Sequence, residues 1–137
     1  MPVLSDFIGT WSLSRDIQDA KYGQNGQMTG QACLTASDSG LLYHETGALV
    51  LTGGMQMQAE RRYIWDSAGA EIAVHFDDGR DFHHFDPAGV AVGTSHLCGA
   101  DLYNVTYDFT QWPQWSATWI VTGPRKDYTS LTRYNPA

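Results

Sequence analysis

From Phe7 to Ile17 the chain alternates, with Phe7, Trp11, Leu13, Arg15 and Ile17 on one face and Thr10, Ser12, Ser14 and Asp16 on the other. Period-2 alternation predicts a half-buried strand. The pattern recurs along the whole chain. Met28, Gly30, Ala32 and Leu34 share the inward face of a second strand, and Leu41, Tyr43, Glu45, Gly47, Leu49 and Leu51 that of a third. A fourth separates Met57, Ala59, Arg61, Tyr63 and Trp65 from Gln56, Gln58, Glu60 and Arg62, and a fifth carries Ile72, Val74 and Phe76. Asp78-Gly79 is a strong hairpin signal, and a two-residue loop there pairs Asp77 with Arg80 and Val74 with His83. That register turns His83 and Phe85 inward and Phe82 and His84 outward. Asp86-Pro87-Ala88-Gly89 then pairs Phe85 with Val90, so that Val90, Val92, Thr94, His96 and Cys98 face the interior.

The clearest alternation lies in residues 101–128. Tyr103, Val105, Tyr107 and Phe109 form one face, followed after Trp112-Pro113 by Trp115, Trp119 and Val121, and after Gly123-Pro124-Arg125-Lys126 by Tyr128 and Tyr134. Short turns set the register: Cys98 with Asp101, His96 with Tyr103, Thr122 with Asp127, Val121 with Tyr128. About ten hairpin-linked strands with no amphipathic helix predict an all-β fold, a single up-and-down antiparallel barrel or a closely related sandwich, in one domain over residues 1–137.

Composition narrows the partners. A chain of 137 residues is long enough for one real core. A formal charge of −7, from 8 basic and 15 acidic residues, argues against nucleic acid or an anionic membrane surface, both of which need a basic face. A strand beginning by Phe7 leaves no room for a secretory signal, so a cytoplasmic chain is expected. Cys33 and Cys98 lie far apart, which excludes a CxxC pair or an all-cysteine zinc site. No cofactor or metal is called for, and the oligomeric state is open.

Three groups could carry chemistry. Arg61, inward among Met57, Tyr63 and Trp65, is a permanent charge that needs a carboxylate, a phosphate or water. It would anchor an acidic ligand or pair internally with Glu45, which lies beside it if the loop after the third strand has an odd number of residues. His96, Cys98 and Asp101, converging beside Tyr103, could form an activated thiolate or a metal site, or be structural. His83, among Val74, Phe76, Phe85 and Val92, reads as a hydrogen-bonded core residue or as a polar contact to a ligand.

The opening Gly9-Thr10-Trp11 resembles the GxW of the calycin group, which includes lipocalins, fatty-acid-binding proteins, avidins and nitrobindin-like barrels. With DGRDFHHFD, HLCGADLYNVTYDF and GPRKDY, the whole chain is similar to a bacterial lipocalin-like family of unknown function. The resemblance implies a barrel closed at one end by Trp11, with Arg133 packed over it. The haem-holding histidine of nitrobindins has no counterpart, since no histidine follows His96.

If Trp11 closes the end where the first strand begins, the opposite end is the mouth. It gathers Lys21, Tyr22, Arg80, Arg125 and Lys126, with the 18–25 loop as a lid. The resulting expectation is a small-molecule-binding barrel, its ligand flat or amphipathic and suited to carry an acid. Arg61 and His83 would be the polar contacts, and Tyr63, Tyr103, Tyr107, Trp115, Trp119 and Tyr128 the walls. An enzyme acting on a hydrophobic molecule at Cys98, His96 and Asp101 is one alternative. A filled barrel that serves a protein partner is another.

Overall fold

In a computed structural model that describes residues 2–137, the chain forms one eleven-stranded antiparallel sheet curled into a nearly closed barrel. The strands are β1 (Gly9–Asp19), β2 (Gln24–Ala36), β3 (Leu41–Leu51), β4 (Gln56–Ala68), β5 (Glu71–Phe76), β6 (Asp81–Phe85), β7 (Val90–Val92), β8 (His96–Cys98), β9 (Asp101–Asp108), β10 (Trp115–Thr122) and β11 (Asp127–Pro136). Neighbours follow the order β6-β5-β4-β3-β2-β1-β11-β10-β9-β7, with β8 also paired to β9. β11 pairs with β1 from Trp11↔Pro136 to Asp19↔Tyr128, which joins the two ends of the chain. The remaining seam, between β6 and β7, is bridged at one point. There Thr94 donates its backbone N–H to the His84 carbonyl, and His84 donates its own to the Thr94 hydroxyl, each at 3.0 Å.

Alternation translates into burial almost everywhere. Trp11, Leu13 and Arg15 of β1, Leu41, Tyr43 and Glu45 of β3, and Val105 and Tyr107 of β9 are all buried. The closed end is packed with rings. Phe7 sits in a single 3-10 turn, Leu4–Phe7, rather than in β1, and is fully buried against Trp65, Phe109, Trp112 and Trp115 at centroid distances of 5.0–5.7 Å. Trp11 donates its indole N–H to the Phe7 carbonyl at 3.0 Å, so the GxW tryptophan does help to seal this end. Arg133 does not cover it. It faces outward, on the same strand as the inward Tyr134, and its guanidinium meets Asp16 at 3.3 Å.

Expectations are corrected at three connections. β1 and β2 pair up to Asp19↔Gln24, leaving a four-residue turn in which Asp19 Oδ1 accepts from the backbone N–H groups of Lys21 and Tyr22, so no lid loop exists there. The register between β5 and β6 shifts at Val74/His75, and His75 pairs with Asp81 rather than with Phe82. Asp77 therefore does not pair with Arg80, and the extra residue in β6 lets both Phe82 and His83 turn inward. β7 leaves β6 altogether: Val90 pairs with Asp108 across β9, and Val90 and Val92 are exposed while Ala91 is buried. A break at residues 93–95 then restores the expected parity, with His96↔Tyr103 and Cys98↔Asp101 in β8.

Gly30 and Gly47 face each other in the β2–β3 ladder. A Cβ on Gly30 would stand 2.0 Å from the Thr46 carbonyl oxygen, and one on Gly47 2.5 Å from that of Thr29. Only glycine permits this approach.

Candidate functional site

Two polar groups occupy the inside of the barrel at different depths. The deeper is built on Arg15 and Glu45, which belong to β1 and β3 and meet across the intervening β2. Arg15 is level with Met28 and Glu45 with Ala32, so the guanidinium crosses β2 over Gly30, where no side chain obstructs it. It donates to both Glu45 oxygens at 2.7 and 2.9 Å and, through Nε, to the Thr132 hydroxyl at 2.7 Å. Tyr43 donates its hydroxyl to Glu45 Oε1 at 2.7 Å, and Tyr134 donates in turn to the Tyr43 oxygen, 2.8 Å away. Burial pushes the Glu45 carboxyl up, but the bonds and charge of Arg15 outweigh it and hold the group below its usual range.

The last β3–β4 pair is Val50↔Gln56, so an odd number of residues, 51–55, connects the paired positions. Glu45 stands opposite Arg61 in the β3–β4 ladder. Its carboxylate is nevertheless committed to Arg15, and among the described residues Arg61 takes part in no ion pair. The reason for its exposure is architectural: β5 pairs with β4 only from Tyr63 onward, leaving residues 56–62 with one free edge beside the mouth.

Above these groups the mouth opens into a basin of about 330 Å³, lined by residues that include Arg61, Tyr63, Phe82, Tyr103, Trp119 and Tyr128. Phe82 stacks on Trp119 at 5.1 Å and on Phe76 at 4.5 Å, forming an aromatic floor. Lys126 donates to the Tyr103 hydroxyl and lies 5.1 Å from that ring's centroid. Like Arg61, it has no carboxylate partner among the described residues. His96 and Cys98 also line the basin.

Below the floor is a cavity of about 40 Å³ that shares Arg61, Tyr63, Phe82 and Trp119 with the basin. His83, Tyr107 and Trp115 border it. His83 Nε2 lies 2.8 Å from the Tyr107 hydroxyl, while His83 Nδ1 and Trp115 Nε1 are buried without a hydrogen-bond partner among the described residues. Burial, with the nearby His84 and His96, pushes the His83 imidazole down to about 3, so it is neutral at pH 7.

Of the ligand-binding residues expected from the sequence, Arg61, Tyr63, Tyr103, Trp119 and Tyr128 come together in the basin, whereas His83, Tyr107 and Trp115 lie beneath it. Phe82, the floor itself, was placed outside by the sequence register. Around the rim, Lys21 donates to the Pro124 carbonyl at 2.9 Å, and Arg80 is held by Asp78 at 2.7 Å while its guanidinium lies 5.2 Å from the Phe76 centroid. Tyr22 and Arg125 project into solvent. Cys98 and Asp101 meet only through the backbone ladder, no side-chain hydrogen bond joins His96, Cys98 and Asp101 among the described residues, and no three His, Cys, Asp or Glu side chains there converge to hold a metal. No helix among them is long and apolar enough to cross a membrane.

The barrel is similar to the S-type phycobiliprotein lyase CPES from Guillardia theta, with a TM-score of 0.65 over 98% of this chain and 90% of that one at 9% identity. It also aligns with a redesigned β-barrel, mFAP1, bound to DFHBI, with a TM-score of 0.45 over 96% of this chain and 97% of that one at 12% identity. At 9% identity the likeness to the lyase is one of fold. No curated protein matches the sequence. Residues 7–136 match the model of a family of unknown function, DUF6314, and the chain belongs to that family.

Proposed function

We propose that the protein binds a flat, amphipathic small molecule in the mouth basin, stacked on Phe82 and Trp119 and walled by Tyr63, Tyr103 and Tyr128. The observation that carries this reading is the basin itself: an aromatic floor under two cations, Arg61 and Lys126, neither of which forms an ion pair among the described residues. Its volume of about 330 Å³ suits a molecule of two or three fused rings. Uncompensated cations beside an aromatic surface favour an acidic substituent, and they do so in a chain whose net charge of −7 would otherwise repel one. Below the floor the barrel leaves only a cavity of about 40 Å³, so the ligand's rings rest on the packed core rather than inside it.

Native mass spectrometry and an absorbance spectrum of gently purified protein test the reading. A retained aromatic acid, or saturable binding of 2-naphthoate that Trp119→Ala abolishes, supports it. Binding that is indifferent to Trp119→Ala and Arg61→Met contradicts it.

A further inference from the structure

The pair formed by His83 and Tyr107 carries one hydrogen more than it can use. A neutral imidazole has one N–H and Tyr107 has one O–H, and a single contact of 2.8 Å, between Nε2 and the hydroxyl, joins them. If Nε2 donates, the tyrosine hydrogen is left without an acceptor and Nδ1 is left bare. If Tyr107 donates, only the Nδ1–H is unmet. The second arrangement leaves fewer unsatisfied groups and is the favoured tautomer.

His83 is more than nine-tenths buried, so an unmet donor there is costly. Its Cδ2 edge lies 3.6 Å from where a Cβ on Gly93 would stand, next to the β6–β7 seam, which turns the Nδ1 edge the other way. The cavity that His83 borders measures about 40 Å³, room for an oxygen-bearing group or a water but not for a ring. It adjoins the basin through Arg61, Tyr63, Phe82 and Trp119. Trp115, with a second unpartnered donor, borders it as well.

We propose that this cavity is a subsite for a hydrogen-bond acceptor: the ligand carries a carbonyl or carboxylate oxygen at its inner end and turns that end down past Arg61 toward His83. The inference rests on the basin reading and adds to it an orientation and a required functional group. Rings stack above the floor, the acceptor enters beneath it, and Lys126 at the rim is left to the outer end.

Three matched compounds test it: 2-ethylnaphthalene, 2-acetylnaphthalene and 2-naphthoate, titrated calorimetrically into the native protein. The acetyl compound is expected to bind about three- to ten-fold more tightly than the ethyl compound, the worth of one neutral hydrogen bond, and naphthoate more tightly still. In His83→Phe the acetyl compound loses its preference over the ethyl compound. On the native protein, nitrogen-15 spectra should show the His83 Nδ1–H shifting and exchanging more slowly with the acetyl compound but not with the ethyl one, a readout that does not depend on the variant folding. Equal affinities for the acetyl and ethyl compounds, an acetyl preference that survives His83→Phe, or an unmoved Nδ1–H would overturn the subsite while leaving the basin in place. If none of the three binds, the basin reading falls and the subsite with it.

Discussion

Glu45 and Arg61 stand opposite each other on adjacent strands, yet the Glu45 carboxylate is bonded to Arg15, two strands away. One buried carboxylate faces two inward arginines and neutralises the deeper. The choice follows from desolvation: the guanidinium of Arg15 is sealed in the core, where an unpaired charge is intolerable, whereas that of Arg61 reaches water at the mouth. The partition leaves the basin with a free cation.

The two arginines should therefore differ sharply when replaced. Arg15→Met strands the Glu45 carboxylate and is expected to cost about 3–5 kcal/mol, and Glu45→Gln a similar amount, while the double variant Arg15→Met/Glu45→Leu recovers part of the loss. Arg61→Met should change stability by less than about 0.5 kcal/mol, as at other exposed positions. Urea denaturation of the four variants checks this.

Stability should fall on acidification through a window that His83 defines. Its folded-state pKa is depressed from 6.5 to about 3, so the unfolded chain binds more protons between those values. The stabilising contribution is complete above pH 6.5 and is lost as pH falls toward 3. Glu45, also held below its usual range, adds loss of the same sign at the acidic end. Denaturation midpoints measured from pH 7 to pH 3 should drop in the native protein, and drop less steeply in His83→Phe.

Gly30→Ala should destabilise the barrel by about 1–3 kcal/mol, because its Cβ would overlap the backbone of β3 and obstruct the path of Arg15. Thermal unfolding of this variant beside Gly79→Ala, at a turn where nothing lies within 4 Å of the added carbon, separates crowding from backbone strain.

The cysteines should react unequally with N-ethylmaleimide. Cys98 is exposed on the basin wall, while Cys33 is half-buried with its sulfur 3.6 Å from the Thr10 hydroxyl. Peptide mass mapping over time should find Cys98 modified first, and the adduct should weaken binding of 2-naphthoate. Unchanged affinity after complete modification of Cys98 would place the ligand elsewhere.

Alternation alone made the barrel legible, along with the parity of nearly every strand, because a residue such as Trp115 or Val121 can face the core only in one register. The turns at Gly99-Ala100 and at residues 123–126 set their pairings by length, and both pairings hold. Phe82 was misplaced because a bulge adds a residue that period-2 counting cannot see, and Val90 and Val92 because β7 takes β9 as its partner. The Arg15–Glu45 bond spans two strand spacings, roughly 10 Å, beyond what hairpin register determines. A signal was present nonetheless: Gly30 and Gly47 on inward positions mark where something large must pass.

The most direct test follows the indole N–H signals of the five tryptophans while 2-naphthoate is titrated into nitrogen-15-labelled protein. If the mouth basin is the binding site, Trp119 shifts first and most, while Trp11 and Trp112 at the closed end stay still. Movement of Trp11 and Trp112 with Trp119 silent, or no movement of any indole at saturating ligand, would contradict the assignment.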